Sequence, residues 1–118
     1  MNKSSFEYQT GKRLKKTAPG AWDVLDDGIR VGGIKGVGTD AVLIQSLFNE
    51  FWKARKKQVF DRDGYKCVEC GSPFQIECDH IVNRSQRGNS SMENLATLCR
   101  KCHYDKTNLL GKWAVKRA

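Results

Sequence analysis

Two short cysteine pairs, residues 67–71 (CVECG) and residues 99–102 (CRKC), decide how this chain folds. Each pair has the spacing CxxC, and 28 residues separate one pair from the other. The tight turn of a CxxC pair brings two sulfurs to one ion, and Gly71 permits the backbone conformation that follows the first turn. Tetrahedral Zn²⁺ takes four such sulfurs in a closed structural site. The sequence therefore predicts one structural zinc ion, with four ligands: Cys67, Cys70, Cys99 and Cys102.

The composition indicates a small, basic protein. The chain has 118 residues, with 21 Lys plus Arg against 13 Asp plus Glu, a net charge of +8 and a pI near 9.4. This length fits one domain and excludes a two-domain enzyme with a large cleft. Only 26 residues are Leu, Ile, Val or Phe, so the apolar core is thin and bound metal would add folding free energy.

The location of the protein is expected to be cytoplasmic. No apolar run reaches the ~18 residues of a membrane span, so no membrane association is predicted. The first ten residues, MNKSSFEYQT, contain no apolar signal-peptide stretch. In a reducing compartment cysteines bind metal more often than they form disulfides, which agrees with the zinc site.

Residues 1–39 are predicted to form a basic, glycine-rich arm that contacts DNA. Residues 1–60 hold 11 basic and six acidic side chains, and basic clusters suit nucleic acid, although a solvated surface explains the charge equally well. Residues 1–20 are polar and without periodicity, which favours a mobile segment. Residues 33–41 (GIKGVGTDA) resemble the turn of a helix-hairpin-helix DNA-backbone motif; a flexible connector is the alternative.

A helix is predicted over residues 40–60. Apolar residues recur there at three- and four-residue steps and form one stripe, which consists of Ile44, Leu47, Phe48, Phe51 and Trp52. Thr39 or Asp40 can cap the start of the helix, since either side chain can accept a first-turn amide. Core packing explains the aromatic residues better than base stacking does.

The region between and after the cysteine pairs is predicted to form strand, loop, strand and helix. The first strand covers residues 74–82 and is followed by a polar loop over residues 83–91. A short helical turn precedes Asn94, because the sequence before it fits a capping box. The second strand covers residues 95–99, and a helix starts near Arg100. The fold class is therefore α+β.

These stretches closely resemble the HNH endonuclease family. The matching text is CVECG at 67–71, CDHI at 78–81, NLATLCRKCH at 94–103 and Lys106-Thr107. The spacings of 14 positions from His80 to Asn94 and nine from Asn94 to His103 are in keeping with the family. The resemblance implies a zinc-braced ββα-metal fold, treble-clef-like, that cleaves nucleic-acid phosphodiesters. The HNH domain would then occupy residues 40–118, with a leading helix (40–60) and a ββα core (61–118).

The resemblance also implies the catalytic site. His80 would be the general base, since an imidazole titrates at about 6.5 and can accept a proton from water. Asp79 and His103 would offer one oxygen and one nitrogen to a catalytic Mg²⁺ or Mn²⁺. Asn94 would brace the loop and help to orient the base. Each of these residues taken alone has a structural explanation, and their joint register around one zinc site is what favours catalysis.

The position of Asp79 next to His80 poses a geometric difficulty. Neighbouring residues of an ideal strand face opposite sides. The strand must therefore bend or end at this point if both side chains are to serve one phosphate.

Three further cations are candidates for DNA contact: Arg84, Arg87 and Lys106. They lie near the proposed site in sequence and could reach phosphates beside the scissile bond, although ordinary solvated charge explains them as well. No carrier of base-specific recognition is identifiable. Cys78 is expected to be a buried or half-buried thiol without assigned chemistry.

The sequence thus predicts a small HNH-type DNA endonuclease with structural zinc and catalytic Mg²⁺ or Mn²⁺. The alternative is a non-catalytic, zinc-dependent nucleic-acid-binding module, and a protein-interaction adaptor is a third option. By family analogy, small members resemble phage proteins, some of which work beside DNA-packaging proteins. The sequence leaves open the oligomeric state, the number of strands cut and the acceptance of RNA.

Overall fold

The computed structural model describes residues 1–108, and the side chains as far as residue 105. Its helices and strands are α1 (Lys3–Thr10), β1 (Arg13–Ala18), β2 (Ala21–Asp26), β3 (Ile29–Lys35), α2 (Asp40–Asp63), β4 (Ile76–His80), β5 (Leu95–Cys99) and α3 (Arg100–Asn108). Single 3-10 turns lie at Arg84–Gln86 and Met92–Asn94. The predicted α+β class is confirmed.

The chain divides into two compact units, one ending at Lys53 and the other beginning at Ala54. The first unit is thus longer than the predicted arm of residues 1–39, and α2 contributes residues to both units. No helix among residues 1–108 is long and apolar enough to cross a membrane.

The first unit is a three-stranded antiparallel sheet, in the order β1-β2-β3, with helical residues packed on it. Leu14 of β1 pairs with Val24 of β2, and Val24 pairs with Gly32 of β3, so these positions share one face of the sheet. The buried core consists of Phe6, Leu14, Trp22, Val24, Leu43, Ile44 and Phe48. The expectation of a mobile arm is therefore wrong.

Two tight turns connect the strands of this sheet. Pro19 and Gly20 lie between β1 and β2, and Gly20 has a φ of 76°, which glycine adopts without a steric cost. Asp27 and Gly28 lie between β2 and β3, with φ of 54° and 78°, and Asp-Gly is a strong signal for such a hairpin. The strands themselves are hard to recognise, because β1 buries only Leu14 among its six residues.

The helix-hairpin-helix interpretation of residues 33–41 is also wrong, and so is that of a flexible connector. Strand β3 extends to Lys35, so a strand and not a helix precedes the turn. Its backbone bonds to β2 order the glycines of the strand.

Helix α2 confirms the prediction for residues 40–60 and ends three residues later, at Asp63. Thr39 caps its first turn, since the Thr39 Oγ1 accepts a hydrogen bond from the Val42 N–H at 3.3 Å. The apolar stripe of this helix is buried at Ile44 and Phe48 and half-buried at Leu47, Phe51 and Trp52.

The second unit contains the predicted strand, loop, strand and helix. β4 and β5 pair in antiparallel fashion, with Asp79 opposite Ala96 and His80 opposite Leu95. β5 has the predicted bounds, whereas β4 is shorter than the predicted 74–82 and ends at His80. α3 starts directly after β5, which gives a ββα unit.

The last turn of α2 holds the start of β5 in place through two charged side chains. Arg62 donates hydrogen bonds to the carbonyl of Met92 at 2.7 Å and to the carbonyl of Leu95 at 2.6 Å. Asp63 accepts the backbone N–H of Thr97 at 2.9 Å and pairs with Arg62 at 2.8 Å. Burial raises the pKa of Asp63, but the hydrogen bonds from Arg62 and Thr97 outweigh it and lower the pKa. The carboxylate is therefore charged when it binds the strand.

Replacing Asp63 by Asn should destabilise the second unit. The substitution removes the negative charge that pairs with Arg62 and replaces one of the two acceptor oxygens by a donor, so the side chain can no longer accept from both Arg62 nitrogens and from the Thr97 amide. Loss of such hydrogen bonds costs about 1.5–3 kcal/mol. The free energy of unfolding, measured with urea at neutral pH in the presence of excess zinc, checks this. The control is Asp61→Asn, because Asp61 is exposed and pairs with Lys57 on the surface. An equal loss of stability in the two variants would contradict a specific role for Asp63.

Candidate metal centre and active site

The four cysteines lie together as one cluster in the second unit. Cys67 and Cys70 belong to the turn after α2, Cys99 ends β5, and Cys102 lies in the first turn of α3. Their sulfur atoms all lie within 4.8 Å of one another, and the Cys70 and Cys99 sulfurs are 3.6 Å apart. Four sulfurs bound to one zinc ion at about 2.3 Å stand about 3.8 Å apart. The cluster is therefore positioned to bind a metal ion and fits zinc.

The first CxxC pair closes through a tight backbone turn. The N–H of Gly71 donates to the carbonyl of Cys67 at 2.8 Å, and Gly71 has a φ of 78°. A side chain at this position would strain the backbone. The glycine after the pair thus has the conformational role that the sequence predicts.

The ionisation of the thiols is uneven. Burial raises the pKa of Cys67, but backbone hydrogen bonds from Cys70, Cys99 and Glu69 outweigh it and lower the pKa to about 6. Burial and the neighbouring thiols raise the pKa of Cys102. One thiol of the cluster ionises readily and another resists, and a bound cation would favour the thiolate form of all four. The chemistry of this donor set therefore also fits a metal ion.

A carboxylate and an imidazole lie close together outside the cysteine cluster. Asp79 of β4 is buried, with 9% of its surface exposed, and its Oδ1 lies 3.3 Å from the Nδ1 of His103 on α3. Adjacent ligands of a six-coordinate ion at about 2.1 Å stand about 3 Å apart. The pair therefore fits two ligands of one divalent cation, with the other positions open. With His103 protonated, the same contact is an ion pair.

His80 is half-buried and faces a different partner. Its Nε2 lies 3.0 Å from the Oγ of Ser90, in the loop that follows β4. Among the side chains of residues 1–105, the cysteine cluster is the one group of three or more metal-binding side chains whose donor atoms lie within 4.8 Å. The structure thus brings Asp79 to His103 and His80 to Ser90. The convergence of Asp79, His80 and His103 on one ion stays a prediction.

Asn94 joins the two ends of the loop between β4 and β5. Its Oδ1 accepts the N–H of Val82 at 2.9 Å, and its Nδ2 donates to the carbonyls of Val82 at 3.1 Å and Asn89 at 2.7 Å. Its own carbonyl accepts the N–H of Ile81 at 2.8 Å. The Asn94 side chain therefore fixes the backbone on both sides of the loop, which is the geometry that a bracing role requires.

Gly88 is a part of this loop that the sequence prediction missed. The residue is buried, and a Cβ atom at this position would overlap the carbonyl oxygen of Val82. The backbone N–H of Gly88 donates to the carbonyl of Asn83 at 2.8 Å. Only glycine lets the chain pass this close to the start of the loop, but no local sequence pattern marks the requirement.

The structure describes the side chains of two of the three cations predicted to contact DNA. Arg84 lies in the 3-10 turn of the loop and Arg87 follows it, and both are exposed. Lys106 lies on α3, one turn beyond His103, and its side chain falls outside the described residues. Cys78 is half-buried as expected, and burial raises the pKa of its thiol to about 11.

Residues 67–109 match the family model of the HNH endonuclease. This segment is therefore similar to HNH endonuclease domains. The match covers 43 of the 118 residues, and the HNH segment contains all four cysteines together with Asp79, His80, Asn94 and His103. No curated protein and no solved structure matches the chain. The family match therefore supports a nuclease-type function for the ββα unit and its metal-binding residues.

Proposed function

We propose that this protein is a metal-dependent endonuclease that hydrolyses DNA phosphodiester bonds. The observation that carries the proposal is the contact between Asp79 and His103 at 3.3 Å, inside the HNH segment and separate from the cysteine cluster. Four cysteines around one ion leave no open position, so a zinc ion there serves structure. The Asp79–His103 pair supplies only two ligands, so an ion held by it keeps positions for water and phosphate.

The proposed catalytic ion is Mg²⁺ or Mn²⁺, because an oxygen and a nitrogen ligand with open positions suit either ion. Such an ion would neutralise the charge that develops at the phosphate and stabilise the leaving oxygen. Asp79 would hold it from the buried side of β4, and His103 from the start of α3. The end products expected from the resemblance are 5′-phosphate and 3′-hydroxyl groups.

The proposed general base is His80. His80 is the last residue of β4 and directly follows Asp79, the proposed metal ligand. The proposed base and the proposed ligand therefore belong to the same strand. Its role is to take a proton from the attacking water. The bonds of Asn94 to Val82 and Asn89 support a positioning role for Asn94, because they fix the loop that contacts the His80 ring.

The proposed DNA-binding surface belongs mainly to the second unit. Residues 54–118 hold 13 basic and seven acidic side chains, whereas residues 1–53 hold eight and six. Four cations of the first unit lie in ion pairs, in the combinations Lys12–Asp26, Arg13–Glu7, Lys16–Asp40 and Arg30–Asp23. Exposed Arg84 and Arg87 are proposed to bind phosphates, which would make binding sensitive to salt. A contact of residues 1–39 with DNA stays a prediction.

The test of the proposed function is cleavage of supercoiled plasmid by the zinc-loaded protein. We expect nicking when Mg²⁺ or Mn²⁺ is added and none without it. Asp79→Asn should lower the nicking rate about 100-fold or more, since it weakens a contribution of several kcal/mol to the transition state. The matched control is Glu77→Gln, which removes one negative charge from an exposed position on the same strand; it should cleave like the wild type.

Plasmid that stays intact with every divalent ion, although the protein binds DNA, would overturn the nuclease and favour the zinc-dependent binding module. Equal activity of the Asp79→Asn and Glu77→Gln variants would overturn the assignment of Asp79 as a metal ligand.

A further inference from the structure

The contact of His80 with Ser90 fixes one nitrogen of the imidazole ring. The Oγ of Ser90 lies 3.0 Å from the His80 Nε2. Ser90 is completely buried, with 0% of its surface exposed. A buried hydroxyl at this distance is a geometrically sound hydrogen-bond partner for a ring nitrogen. The structure therefore gives His80 a defined partner on its Nε2 side.

The loop is built so that Ser90 cannot easily move away from the ring. The carbonyl of Asn89 accepts the Asn94 side chain at 2.7 Å. The Oδ1 of Asn89 accepts the N–H of Ser91 at 3.2 Å and its hydroxyl at 2.8 Å. Ser90 thus lies between two residues that are bonded into the loop. These bonds fix the loop on both sides of Ser90, and the residue itself is buried.

The role of a general base indicates which of the two groups donates in this hydrogen bond. A neutral imidazole carries its proton on one nitrogen and accepts on the other. If the Ser90 hydroxyl donated to Nε2, the ring proton would lie on Nδ1 and neither nitrogen would be left to accept a proton from water. If Nε2–H donates to the Ser90 Oγ, Nδ1 is the basic nitrogen.

We propose that Ser90 is a positioning residue that accepts a hydrogen bond from the Nε2–H of His80 and thereby selects the tautomer whose Nδ1 is the proton acceptor. The catalytic consequence rests on the proposed nuclease function. The choice of tautomer rests on the same function, whereas the contact between Ser90 and His80 does not. NMR reads the tautomer without an activity assay, so the hydrogen bond and the nuclease activity can be tested separately.

The tautomer is read directly by NMR. The chain contains two histidines, so long-range ¹H–¹⁵N spectra of the full, zinc-loaded protein at a pH where the rings are neutral should resolve both rings. Loss of one set of signals in His80→Ala assigns His80. We expect the Nε2–H tautomer in the wild type. The Nδ1–H tautomer, or an equal mixture of the two, would overturn the proposal without any substitution at Ser90.

The matched pair of variants is Ser90→Ala and Ser85→Ala. Both make the same substitution in the same loop, but Ser85 is exposed. Ser90→Ala should shift the His80 tautomer towards a mixture, whereas Ser85→Ala should leave it unchanged. An unchanged tautomer in Ser90→Ala would mean that another group selects it and would overturn the role of Ser90.

The activity of the same variants tests the consequence. Loss of a group that orients a functional histidine typically lowers activity about 10-fold to 100-fold. We expect this loss in the kcat of Ser90→Ala, with an unchanged KM for plasmid, unchanged zinc content and partial recovery in Ser90→Thr, which keeps a hydroxyl. A loss confined to KM would contradict a positioning role. Intact plasmid with wild-type protein would overturn the nuclease, while the NMR result would still decide the hydrogen bond.

Discussion

Removal of zinc should unfold the ββα unit that carries Asp79, His80 and His103. The buried cluster around the metal centre consists of Cys67, Leu98 and Cys99, with Cys102 packed against it, so most of its members are the proposed zinc ligands themselves. Structural zinc sites contribute about 10–16 kcal/mol of apparent binding free energy, which a core this small cannot replace. A strong chelator should therefore collapse the dispersed amide signals of the second unit in NMR spectra.

The cysteines supply a matched comparison for this experiment. Cys67→Ser removes one ligand from the cluster, whereas Cys78→Ser makes the same substitution at the half-buried cysteine outside it. We expect Cys67→Ser to lose bound zinc and the folded signals of the unit, and Cys78→Ser to keep both. Retention of the folded signals after complete removal of zinc, measured by metal analysis, would show that the cysteine cluster does not maintain the fold.

Replacement of His80 by Ala should abolish most of the cleavage activity. General acid–base catalysis contributes about 100-fold to 10,000-fold to a rate, and the proposed mechanism assigns the acceptance of the water proton to His80. DNA binding and zinc content should stay unchanged, since the four proposed zinc ligands are cysteines and His80 is not one of them. The measurement is the rate of plasmid nicking under single-turnover conditions with Mg²⁺ or Mn²⁺.

Two controls separate a missing base from a damaged loop. Gln86→Ala changes an exposed residue of the same loop and should cleave like the wild type. Added imidazole should restore part of the rate in His80→Ala, because it can enter the space left by the ring and accept the proton. Undiminished cleavage by His80→Ala would exclude His80 as the general base.

The zinc site and the second strand could be predicted because their signals are local. The spacing of the two CxxC pairs is enough to predict a four-sulfur site, and the structure brings all four sulfurs together. The strand over 95–99 is a short apolar run that ends at a ligand cysteine, and each of its five residues is buried. The spacing of Asn94 from His80 and His103 predicts a bracing role in the loop, and its side chain forms hydrogen bonds with Val82 and Asn89.

The remaining features arise from contacts between residues that are distant in sequence or weakly patterned. Ser90 is a serine in a polar loop, and only the closure of that loop brings it to His80. Asp63 lies 34 positions before its partner Thr97. The first unit was missed for another reason: its Asp27-Gly28 turn was visible, but the lysines of β1 made a folded strand look like an unstructured basic segment.

The bonds from the end of α2 to β5 also bear on how this protein can be cut into fragments. The family match begins at Cys67, yet Arg62 and Asp63 satisfy backbone groups of Met92, Leu95 and Thr97. A truncated protein that began at Cys67 would lack Arg62 and Asp63, and these backbone groups of β5 and of the turn before it would lose their hydrogen-bond partners. An excised fragment that contains residues 67–109 should therefore retain the helical turns before Cys67 and begin no later than Ala54, where the second unit starts.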